Sequence, residues 1–190
     1  MEELVQYRPE ELERFLREVD RQLSAPVEII IIGGAVISMR YSQEHTTTDI
    51  DLWTNPAKEF WEAVRRVNEL IGLTVPVKPA HVAEPPYGFE DRLQPYTFEG
   101  LTHLKIWIPE RHDLVLMKTA RGETPDFEGI VEVHQKEPLD PELLLRRCLQ
   151  EMRTQITGTW SGFRVKFLGM IEEVFGKATE KDIAKRFPTE

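Results

Sequence analysis

A chain of 190 residues and 22.1 kDa, 41% hydrophobic, is long enough to bury one real core, which excludes wholesale disorder. Its 24 basic and 33 acidic side chains leave a formal charge of −9, a poor balance for nonspecific DNA binding, which needs many cation–phosphate contacts. No uncharged apolar run is long enough to span a membrane, and Glu2 and Glu3 open the chain where a secretory leader would be basic and then apolar. The single cysteine, Cys148, excludes an intrachain disulfide framework and a cysteine-rich zinc site, so a cytoplasmic address is expected.

In chain order, Pro9 suits the first position of a helix, and Leu12, Phe15, Leu16, Val19 and Leu23 repeat at helical spacing as far as Pro26. Residues 27–32 include four consecutive isoleucines ahead of Gly33-Gly34, which predicts a strand buried on both faces. A short helix is expected over 35–39 and a β-branched strand over 46–53. Asn55 and Pro56 read as the start of a helix lined by Phe60, Val64, Val67 and Ile71, with Gly72 closing it.

Residues 74–96 hold five of the 13 prolines, which predicts a loop with a short edge strand, placed as a mobile lid. Residues 101–108 alternate as a strand, with Leu104, Ile106 and Ile108 on one face and His103, Lys105 and Trp107 on the other. Helices are expected over 113–120, from Asp140-Pro141 along a stripe at Leu145, Cys148, Leu149, Met152 and Ile156, and from Ser161 to Gly176. Residues 179–182 match a capping box ahead of a terminal helix. The expected class is α/β (α+β): a mixed-sheet core over residues 1–135 and a helical extension over 136–190.

The chemistry concentrates in two places that read together. Gly33-Gly34 ends a strand where backbone can approach a phosphate closely. On the next strand, Thr48-Asp49-Ile50-Asp51-Leu52 puts Asp49 and Asp51 on one face, about 7 Å apart along the chain, with Ile50 and Leu52 opposite. Two such carboxylates repel unless a cation sits between them, and hard oxygen donors of this kind suit Mg²⁺. A glycine pair after a strand is commonly only a tight turn, and a lone D-x-D is common on solvated strands; their joint occurrence is more specific. Neither G-x-G-x-x-G nor a P-loop is present, and the five histidines show no zinc-hydrolase spacing.

With those residues the sequence resembles the nucleotidyltransferase superfamily that shares the DNA polymerase β palm fold, most closely its AbiEii-type toxin–antitoxin branch. The resemblance covers residues 29–130 and includes Lys118, Arg121 and Asp126 downstream. It implies a mixed-sheet nucleotidyltransferase core in which Asp49 and Asp51 hold Mg²⁺ or Mn²⁺. Gly33, Gly34 and Thr48 then border the NTP, Lys118 contacts phosphate and Arg121 assists. Two departures stand out. His45 occupies a position where relatives often carry arginine, and the strand expected beside the aspartates, 101–108, has no acid. Either the third carboxylate comes from Glu99, or Asp126 substitutes, or the site is impaired.

The implied reaction moves an NMP from an NTP to an acceptor hydroxyl on RNA, protein or a small molecule. The alternative is a catalytically silent, antitoxin-like binding module with a protein partner. No membrane or specific DNA partner is expected. Residues 145–190 carry nine Lys and Arg against six Asp and Glu, which leaves −12 on residues 1–144. An RNA acceptor could therefore dock on Arg146, Arg147, Arg153, Arg164 and Lys166, although solvated helices explain the same charges.

Overall fold

The computed structural model describes residues 5–72, 74–80 and 83–188. Glu2 and Glu3, and His81 and Val82 of the expected lid, lie outside them, as does the side chain of Ile71. The chain forms two compact units, Met1–His81 with Leu93–Pro109, and Val82–Arg92 with Glu110–Glu190. Helices of residues 110–136 thus group with the carboxy-terminal helices. The expected class holds: a mixed sheet flanked by helices. Among the described residues no helix is long and apolar enough to cross a membrane.

The first unit is built on five strands: β1 (Val27–Ile32), β2 (Ile50–Leu52), β3 (Val77–Pro79), β4 (Gln94–Tyr96) and β5 (Leu104–Ile108). Their order is β3-β2-β1-β5-β4, with β1–β5 and β2–β3 parallel and β1–β2 and β4–β5 antiparallel. Ile29, Ile31, Ile50, Leu52, Leu104, Ile106 and Ile108 fill its buried face. The other face is largely open: Glu28 and Lys105 are exposed and Ile30 and Trp107 half-buried, although Ile32 next to Gly33 is buried. The isoleucine run is therefore not enclosed on both sides.

Helix α1 (Pro9–Arg21) packs against α3 (Lys58–Ile71), burying Leu12, Phe15, Leu16 and Val19 against a layer that includes Phe60, Ala63 and Val67. Near the end of α1, the buried Asp20 carboxylate accepts the backbone N–H groups of Thr102, His103 and Leu104 at 2.6–3.0 Å, anchoring the start of β5. Asn55 does not cap α3, which starts after Ala57; its side chain accepts from Trp61 Nε1 instead. The proline-rich stretch is more structured than a loop, holding β3, β4 and a 3₁₀ turn at Phe89–Arg92.

The second unit is helical: α4 (Arg111–Arg121), α5 (Thr124–Lys136), α6 (Pro141–Arg147), α7 (Trp160–Phe175) and α8 (Lys177–Arg186). Helix α4 is buried from His112 to Thr119 and contacts α5, α6 and α7, so it forms this unit's centre. Thr159, not Ser161, caps α7, and α8 starts before the expected capping box, so Thr179 lies inside it.

An ion network ties α4 to the rest of this unit. The Arg92 guanidinium grips both oxygens of the fully buried Asp113, at 2.8 and 3.0 Å, while Arg147 donates to Asp113 at 2.8 Å and to Glu110 at 2.5 Å. The Asp140 amide donates to His112 Nε2, so Nδ1 carries the proton given to Glu110. Burial alone would raise the Glu110 carboxyl, but His112 and Arg147 outweigh it and hold its pKa at about 2 against an ordinary 4.5.

Because the folded-state value is the depressed one, this stabilisation is complete above the ordinary value of 4.5 and is lost as the pH falls towards 2. Thermal melts between those limits are expected to fall steeply for the unaltered protein and less steeply for Glu110→Gln. Parallel curves would remove Glu110 as the cause.

Candidate functional site

Each component of the site in the first unit has a local cause. Strand β1 ends at Ile32, and Gly33 then turns the chain with φ of 77°, a conformation glycine adopts without strain. Gly34 opens a short helix, α2 (Gly34–Val36), which widens into a π-helical turn over Ile37–Tyr41. The following strand is shorter than expected. Thr47 leaves the sheet to bridge Tyr7, so β2 begins at Ile50 and Asp49 precedes it.

The two aspartates nevertheless face one way. Lys78 Nζ lies 2.6 Å from Asp49 Oδ2 and 3.8 Å from Asp51 Oδ1. Ile50 and Leu52 are fully buried in the opposite layer, whereas the Asp49 and Asp51 side chains are 21% and 27% exposed. Asp51 also borders the glycine turn: a Cβ on Gly33 would come within 3.2 Å of Asp51 Oδ2. A Cβ on Gly34 would come within 2.9 Å of Thr47 Oγ1 and 3.8 Å of His45 Nε2. The Thr47 hydroxyl in turn donates to the Asp49 carbonyl at 3.2 Å.

Thus Gly33, Gly34, Asp49 and Asp51 come together, joined by Thr47, His45 and Lys78. Thr48, the threonine singled out from sequence, is half-buried at a bend between Thr47 and Asp49. It is Thr47 that shares the aspartates' parity, a period-2 signal that could have found it. The ring of His45 lies beside Gly34. Lys78 had no signal, since Val77-Lys78-Pro79 directly after Pro76 is too short to show a periodicity.

The strand beside the aspartates is β3, not 101–108, which pairs with β1 and β4. In the register of β2 and β3, Lys78 stands opposite Asp51, so a cation occupies the row in which a third acid was sought. Glu99 sits in an exposed turn, where its carbonyl accepts from Arg17. Among the described residues no group of three or more His, Cys, Asp or Glu side chains is placed to hold a metal ion.

Lys118, Arg121 and Asp126 belong to the second unit and are engaged with one another. The fully buried Asp126 carboxylate receives Lys118 at 2.9 Å and Arg121 at 2.5 and 2.7 Å. Burial pushes the Asp126 carboxyl up, but the two cations outweigh it and lower its pKa. The triad links α4 to α5. Most of the carboxy-terminal cations also have internal partners: Arg147 in the ion network, Arg153 over Trp160, Arg164 over Phe187, and Lys166 on the last carbonyls of α4. Cys148 is buried, which pushes its thiol up and removes it as a nucleophile.

The glycine turn is open to a direct test. Gly33→Ala forces alanine into a backbone conformation (φ 77°, ψ −148°) open essentially only to glycine, at roughly 1–3 kcal/mol, and crowds the Asp51 carboxylate. A melting temperature lower by several degrees is expected, and an unchanged melt would mean the turn carries no strain.

A family model described as "Nucleotidyltransferase of unknown function (DUF6036)" matches residues 10–173. No curated protein and no solved structure matches.

Proposed function

We propose that this chain, which belongs to that nucleotidyltransferase family, transfers a nucleoside monophosphate from an NTP to an acceptor hydroxyl in a Mg²⁺-dependent reaction. One observation carries the reading: Asp49 and Asp51 converge on a single cation beside Gly33. The Lys78 ammonium marks where positive charge is stabilised, and hard carboxylate oxygens suit Mg²⁺ or Mn²⁺. A half-exposed Lys–Asp pair is worth about 1 kcal/mol or less, so Lys78 is readily displaced towards substrate phosphate. Bound to Asp49 and Asp51, the metal would polarise the α-phosphate and stabilise charge on the departing pyrophosphate.

The protein's own groups do the rest. Gly33 and Gly34 let the β- and γ-phosphates approach the backbone, with Thr47, Thr48 and His45 bordering them. The acceptor oxygen bonds to the α-phosphorus, the bond to the bridging oxygen breaks, pyrophosphate leaves, and the hydroxyl proton passes to water. We assign Lys118, Arg121 and Asp126 to joining α4 and α5. Lys118 and Arg121 would meet phosphate only by giving up Asp126. In the same reading the chain works in the cytoplasm, in the setting of the AbiEii-type toxin–antitoxin branch.

A second reading has its own observation. Lys78 stands opposite Asp51 on β3 where a third acid was sought, which favours a catalytically silent binding or antitoxin-like module. Thermal shift with each NTP, with and without Mg²⁺, separates the two. Stabilisation that needs both nucleotide and metal supports the transferase, and its absence supports the module.

A further inference from the structure

The open face of the sheet carries an apolar row beside the carboxylates. Trp107 of β5 lies opposite Ile30 in the β1 ladder and opposite Pro95 in the β4 ladder. The backbone N–H of Trp53 donates to the Ile30 carbonyl at 2.9 Å, extending the β1–β2 ladder one residue past Leu52. Strand alternation therefore places Trp53, Ile30, Trp107 and Pro95 in one line across β2, β1, β5 and β4. Trp53, Ile30 and Trp107 are half-buried and Pro95 is exposed, whereas Leu52, Ile31, Ile106 and Ile108 face the core. Beside Trp107 on this face, Lys105 pairs with Glu28 at 3.0 Å.

Position along the strands gives this row a meaning. Ile32 pairs with Asp51, Gly33 follows Ile32 on one side, and the Ile30–Trp53 level lies on the other. Trp53 is two residues beyond Asp51 on the same face, about 7 Å along the strand. In phosphoryl transfer the leaving and attacking oxygens lie roughly in line on opposite sides of phosphorus. If pyrophosphate leaves towards Gly33 and Gly34, as the proposed function has it, the acceptor must approach from the Trp53 side.

Two indoles flanking an isoleucine on rigid strands offer flat apolar area, which suits a ring more than an extended peptide. Every nucleobase has such a π-face. We infer that Trp53, Ile30 and Trp107 form a stacking platform for the terminal base of a single-stranded nucleic-acid acceptor. The charges around the row, Glu28, Lys105, Asp49, Asp51 and Lys78, sum to −1, so no cationic surface grips the phosphates. Stacking therefore carries the affinity, and the salt dependence is shallow.

The test uses the full chain and a short single-stranded oligoribonucleotide followed by fluorescence anisotropy, with NTP–Mg²⁺ binding measured separately by calorimetry. Trp53→Leu and Trp107→Leu keep apolar bulk and remove the ring. Each is expected to weaken the oligoribonucleotide roughly tenfold with NTP affinity unchanged, and raised salt should change binding little. If Trp107→Leu does not fold, Trp53→Leu carries the same expectation.

The platform is overturned if the unaltered protein does not bind the oligoribonucleotide, if both variants bind it undiminished, or if transfer goes to a protein acceptor equally well in both. Equal loss of NTP affinity would put the nucleotide's own base on the row and overturn the acceptor assignment. Oligoribonucleotide binding needs neither metal nor NTP, so failure of the carboxylate site and failure of the platform register in different measurements.

Discussion

Replacing Asp49 and Asp51 together with asparagine is expected to abolish Mg²⁺-dependent NTP binding and to leave the protein folded. Asparagine keeps the size of each side chain and removes both negative charges. The fold tolerates this because the two side chains are 21% and 27% exposed, and their ion pairs with the half-exposed Lys78 contribute about 1 kcal/mol or less. The site does not, because a divalent cation then has no charged ligand there. Charge stabilisation by such an ion is worth several kcal/mol, so any transfer activity should fall roughly a thousandfold or more. Titration calorimetry with each NTP, with and without Mg²⁺, reads the binding, and labelled NTP reads the transfer. Full-strength binding by the double variant would mean the nucleotide sits elsewhere.

The largest effect on stability is expected at Asp113. Its carboxylate is fully buried and meets Arg92 through two hydrogen bonds and Arg147 through a third. Asp113→Ala removes the buried carboxylate that both guanidinium groups share, and breaking a buried ion pair typically costs about 3–5 kcal/mol. Set against a total stability of roughly 5–15 kcal/mol, that is enough to leave part of the population unfolded at ordinary temperature. Glu110 and Glu151 remain near the two arginines and moderate the loss. Urea denaturation should show the midpoint falling sharply, while Glu151→Gln, which removes a charge 21% exposed, should shift it far less. Equal shifts in the two variants would show that burial does not set the energy here.

Neither Asp113 nor Asp20 looks different in sequence from a solvated helix residue. What separates them from Glu10 or Glu69 is a partner supplied from far along the chain: Arg92 and Arg147 for Asp113, the amides of residues 102–104 for Asp20. Helix α5 was equally hard to read, because Gly129 and several β-branched residues weaken its local propensity. It is held by packing against α4 and α7.

The glycine turn and the shared side of Asp49 and Asp51 were legible from the sequence by itself, because both follow from the backbone. An apolar run ending in two glycines can continue only as a turn, and a period of two ties Asp49 to Asp51 whatever surrounds them. The tertiary structure alone decided which strand lies beside them. Strand order depends on hydrogen bonds between distant segments: β5 joins β1 through pairs such as Val27 with Leu104, while Val77–Pro79, three residues of which the last is proline, complete the other edge as β3. That pairing sets Lys78 against the two aspartates and lines Trp53 up with Trp107. Local pattern carries no trace of either, because a strand's sequence records which face is buried but not which strand will pair with its edge.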